Sequence, residues 1–421
     1  MTADTLTPPE QVEPAPGQDA AVEGAPGPTD WSLVVLLGAL TAFGALSTDM
    51  YLPALPAIEH GFHARSGAGQ MTLASFFAGL AIGQFGHGPA SDRWGRRGPL
   101  FLGVGLYVAA SVACALAPSL EMLAIARFVQ GVGACSGSVI GRAIARDRFD
   151  HRGAARVLSQ LMLVMGLAPI LAPMLGGVLL IVADWRAIFW VFVVFGAFIG
   201  LWMFAALPET RSAETAAKAR GEHPIAGYLS LLKMPSLVGY TLAGAFNSAA
   251  LFGYIAAAPG LLIQAYHIAP TLFGAVFGIN GVGLIAMSQL NAHLLRRHTP
   301  EYILVRARPL TLIFAVVLAI DAYANLFGLW GVLVPLFMVV GSFGLVGANT
   351  QAAGLSCDPQ RAGSISALMG GAGFGAGALV SSLTAAFADG TARPMAATVL
   401  GSILASTLAL YGLARPASRR V

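Results

Sequence analysis

The chain has 421 residues, of which 56% are apolar and only 10% charged, too little polar surface to coat a water-soluble body of this size. The formal net charge of +4 is modest, and the basic residues gather between apolar runs, which speaks for orientation in a membrane and against a nucleic-acid partner. Strings of the forms Gly-x-x-x-x-Gly-Lys-Ser/Thr, His-Glu-x-x-His and Gly-x-Ser-x-Gly are absent and no His or Lys lies well inside an apolar run, so neither a nucleotide-driven pump nor an intramembrane hydrolase fits.

Residues 1-30 carry six acids, no Lys or Arg, and many Pro, Gly and Ala, and read as a disordered cytoplasmic tail, not a signal peptide. Twelve runs follow, each near the ~20 residues that cross roughly 30 Å of hydrocarbon as a helix. They lie near 31-54, 69-91, 98-117, 120-144, 154-182, 186-207, 236-264, 270-294, 303-326, 328-356, 360-387 and 392-414. Unpaired backbone groups in lipid cost several kcal/mol each, so the runs are expected to be helices. The fold class expected is an all-α membrane protein of twelve transmembrane helices in two pseudo-symmetric six-helix bundles.

The first span ends in Asp49-Met50-Tyr51. Between spans two and three stands the string Gly88-Pro-Ala-Ser-Asp92-Arg93-Trp-Gly95-Arg96-Arg97, three arginines about one acid in a turn that Gly95 keeps tight. Asp92 sits at the C-terminal end of its own helix, where the dipole disfavours a carboxylate; the start of the eleventh helix at Asp358-Pro359 is its expected partner. Arg127 and Gln130 lie within span four, and span five carries Pro169-Ile-Leu-Ala172-Pro173-Met-Leu-Gly176-Gly177. The three cysteines, Cys114, Cys135 and Cys357, show no pairing logic and no metal spacing and read as packing residues; neither metal nor cofactor is expected. Residues four apart such as Gly79 and Gly83, or Gly373 and Gly377, let helices approach closely.

With both termini cytoplasmic, 19 of the 24 Lys and Arg residues fall in cytoplasmic segments, as the positive-inside rule asks. The polar stretch 208-235 then reads as a cytoplasmic central loop between bundles at 31-207 and 236-415, with a cytoplasmic tail at 416-421. An offset of 200 sets Arg296-Arg297 against Arg96-Arg97, a degenerate repeat that suggests a transporter with its site near the midplane.

The string at 88-97 resembles the loop between spans two and three of the major facilitator superfamily. Thr48-Asp49-Met50-Tyr51-Leu52-Pro53-Ala54-Leu55-Pro56 resembles the signature of its Bcr/CflA branch, named for bicyclomycin resistance and chloramphenicol efflux. Arg127-Phe-Val-Gln130-Gly131, Gly141-Arg142-Ala-Ile-Ala-Arg146-Asp147 and Ala362-Gly363-Ser364-Ile-Ser366-Ala-Leu are similar to that branch as well. The resemblance covers the chain from about residue 31 and implies the major facilitator fold, with Gly88, Asp92, Arg93, Gly95, Arg96 and Arg97 as a conformational gate. It also implies antiport, with Pro169, Pro173, Gly176 and Gly177 as the kinked helix. Antiporters of the superfamily carry Gly-x-x-x-Gly-Pro-x-x-x-Gly-Gly there; here Pro169 and Ala172 stand for the leading glycines.

Asp49 and Arg127 both fall in the outer half of the membrane by helix rise, about 27 Å and about 10 Å along oppositely running helices. Charges at such depth cost roughly 2.5 kcal/mol or more unless paired or wetted, so the two are the expected proton-coupling residues. Family members carry an acid and an arginine at these positions, which implies the same roles here. Asp321, beside Tyr323 and Asn325, is expected at the interface where headgroup water reaches it. Tyr51, Gln130, Phe246, Asn247, Tyr254 and Asn280 are the substrate-cavity candidates, aromatic faces and amides that suit a moderately lipophilic compound. The expected function is proton-coupled efflux of small organic compounds, drugs among them, across the cytoplasmic (inner) membrane, by a monomer whose partners are substrate, protons and lipid, without nucleic acid. A carrier for a physiological metabolite is the alternative.

Overall fold

The computed structural model describes residues 31–149, 151–213, 215–217 and 224–414, so both expected tails, at 1-30 and 416-421, lie outside the described residues. Twelve long helices carry the fold. They are α1 (Trp31–Asp49), α2 (Ala68–Trp94), α3 (Arg97–Ala115), α4 (Leu120–Arg148), α5 (His151–Val182), α6 (Arg186–Ala206), α7 (Pro235–Pro259), α8 (Pro270–Leu294), α9 (Pro300–Ala324), α10 (Gly328–Ser356), α11 (Ala362–Ala386) and α12 (Arg393–Ala409). Ten of the described helical segments are long and apolar enough to cross a membrane by composition alone.

The helix boundaries have local causes. Ser119 caps α4 by accepting the Met122 N–H, and Thr299 caps α9 by accepting the Tyr302 N–H, each satisfying an amide that has no partner within its helix. Proline opens α7, α8 and α9, where its missing N–H costs nothing. The first span, expected to run to 54, ends as an α-helix at Asp49. Pro53 and Pro56 then break it into a 3₁₀ turn at Leu52–Ala54 and a short helix at Leu55–Gly61. Within the stretch expected as the central loop, Pro224–Leu231 forms a further helix.

Helices α1–α6 pack around α2, α4 and α3; helices α7–α12 pack around α7, α10 and α11. The two halves meet along α2 with α11 and along α5 with α8. We call the side carrying Gly95 the basic face and the side carrying Gly67 the opposite face. At the opposite face the halves are tied by polar bonds: Gln264 Nε2 donates to Glu59 Oε2 (3.1 Å), Ser66 Oγ to Gln264 Oε1 (3.4 Å) and Arg65 Nη1 to the Ala385 carbonyl (3.4 Å).

Candidate functional site

Arg127 is fully buried in the first half, and its charge is spread over a fixed set of partners. Nη1 donates to Gln130 Oε1 (2.6 Å) one helical turn on, and Nη2 donates to the backbone oxygen of Ser47 on α1 (2.9 Å). The guanidinium carbon stands 4.4 Å from the Tyr51 ring centre and 4.2 Å from that of Phe76, cation–π contacts that substitute for water. Gln130 in turn donates from Nε2 to Ser111 Oγ (2.7 Å), which binds α3 into the network. Tyr51 is held by a hydrogen bond to Thr72 Oγ1 (2.7 Å). Tyr51 and Gln130, expected in the substrate cavity, thus stand in the shell around Arg127.

Asp49 closes α1 with 4% of its surface exposed and makes no ion pair with Arg127. A helix turns about 100° per residue, so Ser47 and Asp49 lie on nearly opposite sides of α1. The Ser47 carbonyl takes the arginine, and the Asp49 carboxylate instead lies within electrostatic reach of Tyr254 on α7, in the other half. The expected pair of opposing charges is therefore two separate buried groups, one bonded through both Nη atoms with Nε left over, and one at the seam between halves.

Around that seam the C-terminal candidates converge in part. Asn280 on α8 donates from Nδ2 to the Tyr254 hydroxyl (2.7 Å), whose ring stacks on Phe277 at 5.5 Å. Asn247 and Tyr254 line a narrow cavity of about 10 Å³, room for a single water, with Ala250, Leu251, Leu336 and Phe343. Phe246 is half-buried on the same helix but does not line that cavity. The lining is apolar and aromatic with one amide and one phenol, the composition of a site that holds greasy molecules by burial and orients them by few polar contacts.

The turn at the basic face is a built structure. Gly95 adopts φ 95°, a backbone that side chains avoid, and a Cβ there would run into the Glu209 carboxylate. Arg96 pairs with Asp92 and with Asp147 Oδ2 (2.8 Å), and donates to Ser91 Oγ (3.0 Å). Glu209 accepts the backbone N–H groups of Arg96 (2.8 Å), Arg97 (3.2 Å), Thr210 and Arg211 (both 3.0 Å), while Arg211 donates back to the carbonyls of Asp92 and Arg93. Burial works against the Glu209 charge, but those backbone donors outweigh it and hold its carboxyl below the usual range. Asp92, expected to meet the start of the eleventh helix, is instead held by Arg96, and Asp358 there pairs with Arg361 (2.6 Å). Gly88 has open space around it, its nearest neighbour a Val139 methyl 4.0 Å from where a Cβ would stand.

In α5, Pro169 and Pro173 lie inside the helix. A Cβ on Gly176 would collide with the Met50 carbonyl, and one on Gly177 would stand 2.6 Å from the Pro270 carbonyl of the other half. The glycine pair lets α5 touch the end of α1 and the start of α8 together.

The description Major Facilitator Superfamily matches residues 37–382. The chain belongs to that superfamily. It is 33% identical to an uncharacterized transporter of the superfamily, YdgK from Bacillus subtilis, over 91% of this chain and 96% of that one. It is 30% identical to a bicyclomycin resistance protein homolog of Haemophilus influenzae, covering 90% and 95%, and 28% identical to the multidrug transporter MdfA of Yersinia pestis, covering 77% and 79%. Its fold matches the crystal structure of a D-xylose-proton symporter with a TM-score of 0.72 at 14% identity, covering 91% and 97%. The protein is thus a multi-pass membrane transporter of the major facilitator fold and not an enzyme, on the branch of bicyclomycin-resistance and multidrug relatives.

Three features of this facilitator were not singled out in the sequence. Arg308, counted with the loop charges, is fully buried about two turns into α9 and donates from Nη1 to Asn247 Oδ1 (3.3 Å). Glu209 and Asp147 complete the basic turn from outside its string, and Glu59 with Gln264 ties the opposite face. A further expectation is corrected: Asp321 is 4% exposed, not wetted at the interface. Its Oδ1 accepts the Phe327 N–H (3.0 Å), and its carboxylate fills the space beside Gly331 at the start of α10. Among the described residues, no group of three His, Cys, Asp or Glu side chains is placed to hold a metal.

Proposed function

We propose that this facilitator exports small, moderately lipophilic organic compounds in exchange for protons, by alternating access across the cytoplasmic membrane, as a monomer with its basic face and both chain ends inside. The observation that carries the reading is Asp49. It is a carboxylate buried at the seam between halves, within electrostatic reach of Tyr254, with the nearby arginine committed to Ser47 and Gln130. An intramembrane acid without a cation is costly when charged and inexpensive when protonated, so its charge state biases which packing of the seam is preferred. Proton entry would favour closure around the neutral acid; release of the proton inside would reopen the seam for substrate. The apolar, aromatic lining between Asn247 and Tyr254 supports a lipophilic cargo, as do relatives named for bicyclomycin and multidrug resistance. The electrical part of the gradient is worth about 2.3 kcal/mol per charge per 100 mV. In this scheme the turn at Gly88 to Arg97 acts far from the cargo and sets the rate for all substrates together.

The test is a susceptibility panel in an efflux-deficient host, paired with transport in proteoliposomes under an imposed pH gradient. Wild type is expected to protect against several compounds, and Asp49→Asn to lose gradient-driven transport at least about tenfold while the protein remains in the membrane. Intact proton-driven export in Asp49→Asn sinks the coupling role. Equal susceptibility to every compound moves the reading to a physiological metabolite.

A further inference from the structure

The second buried arginine is unfinished. Arg308 has no exposed surface, and its Nη1 makes one hydrogen bond, to Asn247 Oδ1 at 3.3 Å. Its Nε and Nη2 find no partner, and neither does the Asn247 Nδ2. The amide's only acceptor is therefore spent on Nη1, and the shared site is left with donors and no acceptor. Tyr411, the phenol within electrostatic reach, gives its own proton to the Val305 carbonyl (2.9 Å).

The pattern of what is missing is specific. Nε and Nη2 form one edge of the planar guanidinium, two parallel N–H groups spaced for the two oxygens of a carboxylate. A cation placed in hydrocarbon without an anion is expensive, and intramembrane cations mark substrate pathways. Asn247 joins the guanidinium to the cavity wall, because the same residue lines the apolar cavity that reaches Tyr254 and Phe343. As it stands the cavity holds about one water and Arg308 meets it only through Asn247, so an acid at Arg308 would have its apolar part among Ala250, Leu251 and Leu336 once the halves open.

We propose that Arg308, with the Asn247 amide, is the recognition site for the carboxylate of small apolar organic acids, which makes these acids a substrate class of the exporter. The assignment rests on the exporter reading for its transport meaning, and on the orphaned guanidinium edge for its chemistry. Water at the same edge would satisfy donors but not charge, and an inorganic anion would ignore the apolar wall.

The experiment is equilibrium dialysis of the full-length protein in lipid nanodiscs, at neutral pH and without any gradient, with radiolabelled phenylacetate and its neutral analogue phenylacetamide. Wild type is expected to bind phenylacetate about ten times more tightly than the amide. Arg308→Gln should bring the two to the same affinity, and Arg308→Lys should keep part of the preference, because it retains charge but loses the fork. If Arg308→Gln does not fold, as judged by its melting profile, Asn247→Leu carries the test and should weaken phenylacetate binding at least threefold. Equal binding of acid and amide by wild type overturns the proposal, as does a preference that survives Arg308→Gln, or Asn247→Leu where that variant stands in. Full displacement of phenylacetate by equimolar chloride also overturns it, by making the site one for an inorganic anion. Without a gradient, the measurement is independent of Asp49. Loss of efflux with the Arg308-dependent preference intact would sink the exporter reading alone.

Discussion

Among the described residues each half of the molecule buries one arginine completely, and the two are treated oppositely. Arg127 in the first half has two short hydrogen bonds and two aromatic rings against its faces, and only its Nε is without a partner. Arg308 in the second half has one long bond and two nitrogens without partners. The halves nonetheless share a frame. In the first, the Ser47 and Tyr107 hydroxyls tie α1 to α3 at 2.8 Å; about 200 residues on, Asn247 and Arg308 tie α7 to α9. The tie is a neutral hydroxyl pair in one half and a guanidinium–amide pair in the other. One scaffold position serves as glue in the first half and presents unspent charge in the second, so the repeat has kept geometry while its chemistry diverged.

The strongest way to break this contrast is to make both arginines apolar. Arg127→Met removes two charged hydrogen bonds and strands the Gln130 and Ser47 oxygens, and is expected to destabilise the protein by roughly 2–4 kcal/mol. Arg308→Met leaves only the Asn247 amide behind and relieves an uncompensated charge, so it should be neutral or stabilising by about 1 kcal/mol. Thermal melts in nanodiscs decide it: equal losses in the two variants would mean that Arg308 is structural glue after all.

The divergence also shows which parts of the molecule its sequence makes legible. Helix number and placement follow from the thickness of hydrocarbon, which fixes the length of every apolar run. Depth is legible too, and it singled out Asp49 and Arg127. Azimuth is not: two residues of helical rotation separate the Ser47 carbonyl from the Asp49 carboxylate, and the arginine took the backbone oxygen. Arg308 was hidden for a related reason. Together with Arg306 it looks like the positive rim of an apolar run that starts near 303, but Thr299 and Pro300 begin α9 earlier and carry Arg308 inward. The partners of the basic turn, Asp147 and Glu209, come from 51 and 113 residues along the chain, a separation that no local spacing reveals. Asp321 looked wetted because it lies near a helix end; that end is folded over it by the Phe327 amide.

The matching turns after α2 and α8 give a second, smaller contrast. Arg96 is buried in a network with Asp92, Asp147 and Ser91, whereas Arg296 and Arg297 in the other half are exposed. Arg96→Gln should cost about 1–2 kcal/mol, because it leaves the Asp147 carboxylate short of its charged donor. Arg296→Gln should stay within about 0.5 kcal/mol. Amide hydrogen exchange at residues 92–97 reports the first directly: faster exchange there in Arg96→Gln is expected, and unchanged protection would show that the turn is held by Glu209 alone.

The smallest expected effect is the sharpest in form, since it depends on pH. The four backbone N–H groups around Glu209 hold its carboxyl below the usual range, against the opposing effect of burial. A carboxylate whose folded value is depressed contributes stability that is fully present above its unfolded value, about 4.3, and is lost as pH falls through the lower folded value. Glu209→Gln should therefore be less stable than wild type by about 0.5 kcal/mol from neutral pH down to about pH 5, a magnitude kept small because the group is largely solvent-screened. The gap should shrink at more acid pH, where the wild-type carboxyl takes up its proton and can no longer accept all four amides as an anion. No such gap is expected for any residue of the turn after α8, where exposed arginines stand without a carboxylate clamp in the described contacts. Melts of wild type and variant across that range test the sign: a difference that widens on acidification would mean that Glu209 acts through something other than its charge.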